Sequence, residues 1–200
     1  MKIILASGSP RRKQLMELAG LNCEVVVSNV DETIDGLPDE QVKKLSLRKA
    51  IATIPLLKDF GDEPAVVIAA DTLVYINGDV LGKPESHDEA FKMLKSLSGN
   101  RHEVYTGVTI IKLNSCKEGR DSTEKIDSFV EKTGVYFHDL SDDEINAYIE
   151  TGEPFDKAGA YGVQEKGAVL VSRVDGDFYT VVGLPISRVY RVLSGMGIVL

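Results

Sequence analysis

Two short apolar runs set the terms for this chain. Lys2–Ala6 is apolar after its first residue, and Ala65–Ala70 is apolar throughout. Neither alternates, and both are shorter than a typical helix, so each predicts a strand buried on both faces. Such a strand needs cover on either side of its sheet, and the rest of the sequence offers it. Ser9 with Pro10 opens a helix that Gly20 ends. A second helix is expected from about Glu40 to Ile54, stopped by Pro55. Ser86-His87-Asp88-Glu89 and Ser141-Asp142-Asp143-Glu144 are capping boxes for two more. Pro185–Leu193 predicts a closing helix with Arg188 and Arg191 on its polar side.

Strands are expected at Glu24–Val27, Val104–Leu113 and Lys125–Phe137, the last two joined through a polar tip at Asn114–Ser122. Asn77-Gly78 predicts a type I′ hairpin between Leu73–Ile76 and Val80-Leu81. Asp175-Gly176 predicts a second hairpin, between Val169–Val174 and Phe178–Val182, and Gly152–Gly167 is expected to be loop. Hairpins mixed with helices imply an α/β or α+β fold with a mixed sheet and flanking helices, not a purely doubly wound one. No clean linker is present, so any lobe boundary, near Ser28–Asp39 or Asp139–Ser141, is soft.

Charge narrows the partners. The 200 residues carry 23 Lys and Arg against 31 Asp and Glu, a net −8. That balance argues against long nucleic acid, which needs a broad basic face. The opening residues are too few for a secretory signal, and no apolar run reaches the ~20 residues of a membrane span. Cys23 and Cys116 show no metal-ligand spacing, and unpaired thiols make the cytoplasm the expected compartment. His87, His102 and His138 are scattered, so no zinc site is expected.

Within this frame a few residues stand out. Ser7-Gly8-Ser9-Pro10-Arg11-Arg12-Lys13 leaves a buried strand and opens a helix. Cations in a first turn oppose the helix dipole, and an anionic ligand would account for them. The alternative is solvated surface charge, with Lys13 paired to Glu17. Asp71 ends the Ala65–Ala70 run, where a carboxylate acts as general base, holds a divalent cation, or only accepts turn hydrogen bonds. Asp31-Glu32 is either a solvated pair or part of a Mg²⁺ site. Lys49 lies on a predicted helix and Lys83 in Gly82-Lys83-Pro84; each alone reads as a surface residue, and neither belongs to a Walker A loop. Asp156–Gln164 is rich in small residues that permit close approach of a ligand, and Gln164 offers donor and acceptor to a base edge. The alternative there is a flexible connecting loop or hinge. A Ser7 or Ser9 dyad with His102 has no supporting motif.

Taken together and in order, these segments resemble the Maf family of nucleoside triphosphate pyrophosphatases. The likeness runs through Leu5–Arg12, Asp31-Glu32, Arg48-Lys49-Ala50, Ala69–Thr72, Gly82-Lys83-Pro84, Ser98-Gly99, His102 and Thr106-Gly107-Val108. It continues through Gly152-Glu153-Pro154, Asp156–Gln164 and Val182–Pro185. It implies one two-lobed α/β domain over residues 1–200 with a central cleft, like that of inosine triphosphatases, and often a homodimer. It also implies a Mg²⁺- or Mn²⁺-dependent hydrolase, with Asp71 as proton acceptor and Glu32 and Asp71 toward the metal. Arg12, Thr72 and Gln164 match positions that set base preference, and Thr72 fits the dTTP/UTP branch. Ser7, Ser9, Lys49 and Lys83 match other pocket positions, and Arg11 joins Arg12 in the expected phosphate cradle. Two positions depart from the family pattern: Glu165 stands where Gly often follows the Gln, and Thr180 replaces a common Asn. The competing classes are a non-catalytic nucleotide-binding regulator and a purine-specific triphosphatase.

Overall fold

A computed structural model describes residues 1–57, 63–114 and 123–198. Cys116 and the expected hairpin tip beyond Asn114 lie outside them. Among the described residues seven strands form one mixed sheet: β1 (Lys2–Leu5), β2 (Glu24–Val25), β3 (Ala65–Ile76), β4 (Asp79–Leu81), β5 (Arg101–Leu113), β6 (Thr123–Phe137) and β7 (Val171–Asp175). Their order is β2-β1-β3-β5-β6-β7, with β4 on β3. β1 pairs parallel with β2 and β3, whereas β4 and β7 pair antiparallel with β3 and β6. The helices are α1 (Pro10–Leu18), α2 (Pro38–Thr53), α3 (His87–Leu97), α4 (Asp142–Ile149), α5 (Phe178–Val182) and α6 (Ile186–Gly195). This is the mixed α/β class that the apolar runs and hairpin signals imply. No helix among the described residues is long and apolar enough to cross a membrane.

The chain divides into two compact units. One comprises Met1–Asp71, Thr106–Val130 and Gly183–Leu200; the other comprises Thr72–Tyr105 and Glu131–Val182. Three of the divisions cut the long strands β3, β5 and β6, so no Gly- or Pro-rich linker marks them.

In the first unit, Ile4, Ala6, Ala50, Val67, Ala69, Ile111 and Leu113 form a core that Val26, Ile54 and Leu57 extend. α2 lies against β5 at Gly107, where an added Cβ would come within 2.4 Å of the Val42 carbonyl oxygen. Nearby, Ser46 and Thr109 share a buried hydroxyl contact of 3.0 Å, and Thr109 meets Ser128 at 2.9 Å. In the second unit α3 packs on α4, burying Leu94, Leu97, Ile145 and Ile149. The Ser141 capping box is complete, with the Ser141 hydroxyl accepting the Glu144 N–H and Glu144 accepting the Ser141 N–H. Ser86 accepts the Glu89 N–H, but the Glu89 carboxylate takes the N–H of Glu85 instead of completing the box. The Asn77-Gly78 hairpin is as expected: φ is +52° and +99°, and Ile76 pairs Asp79.

Several expectations need correction. β3 does not stop at Ala70; it runs on without a break through Asp71 and Thr72 into the expected hairpin strand, of which Val74–Ile76 pairs with β4. β2 is two residues long, not four. Phe178–Val182 is a helix, not a strand. Asp177 explains it: its Oδ2 accepts the Thr180 N–H at 2.9 Å and the Thr180 hydroxyl at 2.8 Å, capping the turn. Gly152–Gly167 is no open loop either, since short 3₁₀ turns occupy Glu153–Asp156 and Ala158–Ala160, and a third begins at Glu165.

Candidate active site

The first unit gathers most of the singled-out side chains. β1 delivers the chain to Ser7, and the turn to α1 follows at once. Ser9 occupies the cap position of α1, but its side chain makes no capping bond. Its N–H donates instead to the Ser7 hydroxyl at 3.3 Å. The same oxygen accepts Nη1 of Arg12 at 3.0 Å, and Arg12 Nε donates to the Gly183 carbonyl at 2.8 Å. The guanidinium is therefore held by two acceptors far apart in sequence. Burial lowers the Arg12 pKa; the Asp71 carboxylate opposes that, the Arg11 cation adds to it, and Glu32 opposes it again. Arg12 thus feels both carboxylates of the candidate metal pair. Arg11 is half-buried in the first turn of the same helix.

Lys49 joins those carboxylates. It projects from α2, and its Nζ lies 2.7 Å from Asp71 Oδ1 and 2.8 Å from Glu32 Oε1. Lys49 and Asp71 are largely buried, with side-chain exposures of 14% and 11%, whereas Glu32 is 62% exposed. The loop bearing Glu32 is tied to α2 at Ser28, whose hydroxyl donates to the Lys49 carbonyl at 3.3 Å and accepts from the Thr53 hydroxyl at 3.2 Å. Arg48 donates to the Asp31 carbonyl, and Asp31 Oδ1 accepts the Thr33 N–H at 2.9 Å, which lowers the Asp31 pKa. Lys13 makes the exposed Glu17 pair that its spacing suggests, at 3.5 Å. Asp71 sits in mid-strand, three residues past the last β1 pair, Leu5 with Ile68, and three before the first β4 pair, Val74 with Leu81.

The second unit holds Thr72, Lys83 and Gln164. Thr72 is half-buried in β3. Lys83 is exposed, and its loop is anchored where the Gly82 carbonyl accepts the Gly159 N–H at 2.9 Å. Gly159 is held at φ +69°, and a Cβ there would strike Val74 at 2.8 Å, so the small residues of this stretch serve close packing. Gln164 is half-buried, and Glu165 after it adopts φ +55°, the region glycine enters freely and other residues rarely do. His102 is buried, with Nε2 2.8 Å from the Tyr161 hydroxyl and its ring packed edge-on to Phe137 and Tyr161. Burial, then the Arg101 charge, lowers its pKa to about 4, so the imidazole is neutral. Ser7 holds the Arg12 guanidinium and the Ser9 N–H, and the described partner of the His102 ring is the Tyr161 hydroxyl.

Sequence reasoning assigned no role to Gly183, Tyr148 or Glu153. Gly183 acts through its carbonyl, for which side-chain chemistry gives no signal. Tyr148 and Glu153 gave only the Gly-Glu-Pro punctuation and a Tyr on a capped helix. Among the described residues no three His, Cys, Asp or Glu side chains form a metal-sized cluster.

A cation between two carboxylates, with an anchored guanidinium beside them, is an arrangement that handles phosphate and its counter-ions. The chain belongs to the Maf-like protein family, whose model matches residues 2–196. A dTTP/UTP pyrophosphatase of Bacillus cereus is 48% identical over 195 residues, 96% of this chain and 94% of that protein. A protein of the same name from Bacillus thuringiensis subsp. konkukian is 47% identical over 199 residues, 98% of this chain and 96% of that one. Among solved structures, the Staphylococcus aureus Ham1 protein aligns at TM-score 0.44 and 16% identity, covering 98% of this chain and 100% of that chain.

Proposed function

We propose that this protein hydrolyses dTTP and UTP to the nucleoside monophosphate and pyrophosphate. The observation that carries the reading is the Lys49 ammonium bridging Asp71 and Glu32, in a unit where Ser7 and Gly183 hold Arg12. Membership of the family and near-full-length relatives of that name support it.

A triphosphate brings about four negative charges at neutral pH. In an acidic protein those charges need local cations, and Arg11, Arg12, Lys49 and Lys83 supply them. The N–H groups from Ser7 to Arg11 add donors at the start of α1. Asp71 is the proton acceptor: it takes a proton from water as the water oxygen bonds to the α-phosphorus. The bond from that phosphorus to the bridging oxygen breaks, and pyrophosphate leaves with the electron pair. Thr72 and Gln164 hydrogen-bond the base, and a pocket built for pyrimidine edges rejects bases that leave its polar groups unpaired.

The residues present fit a divalent cation. Two carboxylate oxygens already converge on one ammonium at 2.7 and 2.8 Å, and one or two carboxylates completed by phosphate oxygens is a usual Mg²⁺ set. Glu32 and Asp71 would hold it. When bound, such an ion supplies charge neutralisation and polarisation of the phosphoryl oxygens. The expected setting is the cytoplasm, with a small nucleotide as partner.

Asp71→Asn is the direct test. Pyrophosphate release from dTTP should fall at least ~10²-fold while nucleotide binding and the far-ultraviolet spectrum persist. Undiminished turnover removes Asp71 from the acceptor role. A panel of dTTP, UTP, dCTP, GTP and ITP, with and without Mg²⁺, separates the pyrimidine enzyme from a purine-specific one and from a regulator that binds without turnover.

A further inference from the structure

The bend from Gly162 to Gly167 carries Gln164, and two side chains outside it hold its backbone. The Tyr148 hydroxyl accepts the Gly162 N–H at 3.1 Å. The same hydroxyl donates to Glu153 Oε1 at 3.0 Å. Glu153 Oε1 also accepts the Gly167 N–H, and its Oε2 accepts the Lys166 N–H, both at 3.2 Å. One phenol and one carboxylate therefore satisfy three N–H groups of a six-residue bend, and Gln164 and Glu165 lie between the held points.

That bend has reason to need holding. Glu165 is a left-handed residue that is not glycine, and Ala160, two residues before the bend, is another. Such conformations cost free energy and persist only where surrounding contacts over-determine them. The packing is also closed to adjustment: a Cβ at Gly162 would lie 2.7 Å from Lys157 Cε, and one at Gly167 would lie 2.1 Å from the Gly162 carbonyl oxygen. Lys157 is pinned in turn, donating to the Glu153 carbonyl and to Asp156, each at 2.8 Å. Tyr148 is a firm post, only 5% exposed on the capped helix α4. Burial raises its pKa well above the ordinary phenol value, which keeps the donated proton in place.

We propose that Tyr148 and Glu153 are positioning residues for base selection: they clamp the bend so that Gln164 presents a fixed edge to the pyrimidine. This rests on the role given to Gln164 above. The reaction itself involves other residues, so the clamp should govern recognition of the base rather than the chemical step.

The test uses Tyr148→Phe and Glu153→Gln in the full chain, with kcat and KM measured for dTTP, UTP, dCTP and GTP. The clamp predicts KM for dTTP and UTP raised about tenfold, kcat within about twofold, and the dTTP-to-GTP preference compressed by a similar factor. Glu165→Gly added to Glu153→Gln should recover part of the lost KM, because glycine needs no clamp to hold that φ. Should Glu153→Gln fail to fold, Tyr148→Phe, which deletes one hydroxyl, decides the matter. Gln164→Ala is the control. If it changes the substrate ranking while both clamp variants keep wild-type KM and ranking, the clamp is refuted and the role of Gln164 stands. A uniform fall in kcat with unchanged ranking refutes the clamp as well. An unchanged ranking in Gln164→Ala refutes the base-reading role on which the clamp depends.

Discussion

Gly107→Ala puts the contact between α2 and β5 to a quantitative test. The added methyl carbon would sit 2.4 Å from the Val42 carbonyl oxygen, 2.5 Å from its carbonyl carbon and 2.8 Å from the Lys43 nitrogen. All three are main-chain atoms inside α2, so no side chain can rotate away. Ordinary contact begins near 3.4 Å, so helix and strand must part by about 1 Å. Overpacking of this kind costs roughly 1–3 kcal/mol, and the backbone-to-backbone geometry puts this site at about 3. For a chain of this size each kcal/mol shifts the melting point by about 2–4 °C, giving a fall of roughly 6–12 °C. Differential scanning calorimetry would measure it. Activity should fall too, since α2 carries Lys49, and misplacement by about 1 Å can cost ~10²-fold in rate. A variant that melts within about 2 °C of the parent and turns over dTTP normally would refute the claimed closeness of the contact.

Further outcomes follow from other sites. Arg12→Lys replaces a rigid fork, with separate donors for the Gly183 carbonyl and the Ser7 hydroxyl, by a single ammonium, so steady-state kinetics should show kcat/KM for dTTP reduced about tenfold or more. His102 has a folded-state pKa of about 4 against an unfolded value near ~6.5, so above both the proton plays no part. As pH falls below ~6.5 the unfolded chain takes up the proton first, and stability declines until pH 4 is reached. The loss from this group is about 3 kcal/mol, and urea titrations from pH 7 to 4 on the parent and His102→Gln should show the parent losing more.

The parts of this fold legible in the sequence are those whose signal is local. Asn77-Gly78 names its own turn, Ser141 and Glu144 name their own cap, and uniform apolarity marks β1 and the first half of β3. What escaped depends on partners elsewhere in the chain. Phe178–Val182 is β-branched and aromatic enough to suggest a strand, yet Asp177 caps it into a helix while Thr133 donates to the Asp177 carbonyl at 2.9 Å. The strands expected at Ala65–Ala70 and Leu73–Ile76 are one, because an Asp, a residue depleted from strands, stands in its middle and reads in the sequence as an end. Within the site, Lys49, Asp71 and Glu32 were each unremarkable in isolation; only the fold shows that one ammonium meets both acids. The Tyr148–Glu153 pair is invisible to side-chain motifs because what it holds is main chain.

The setting of Asp71 limits how the chain could change its length. Between Ile68, matched to β1, and Val74, matched to β4, the strand has a fixed number of steps, and each step turns the side chain to the opposite face of the sheet. Adding or losing one residue between Ile68 and Asp71 while the β1 ladder holds would send the carboxylate through to the opposite surface, away from Lys49. Substitution can retune the neighbours of Asp71, but an indel of a single residue on its β1 side should separate the carboxylate from the ammonium that meets it.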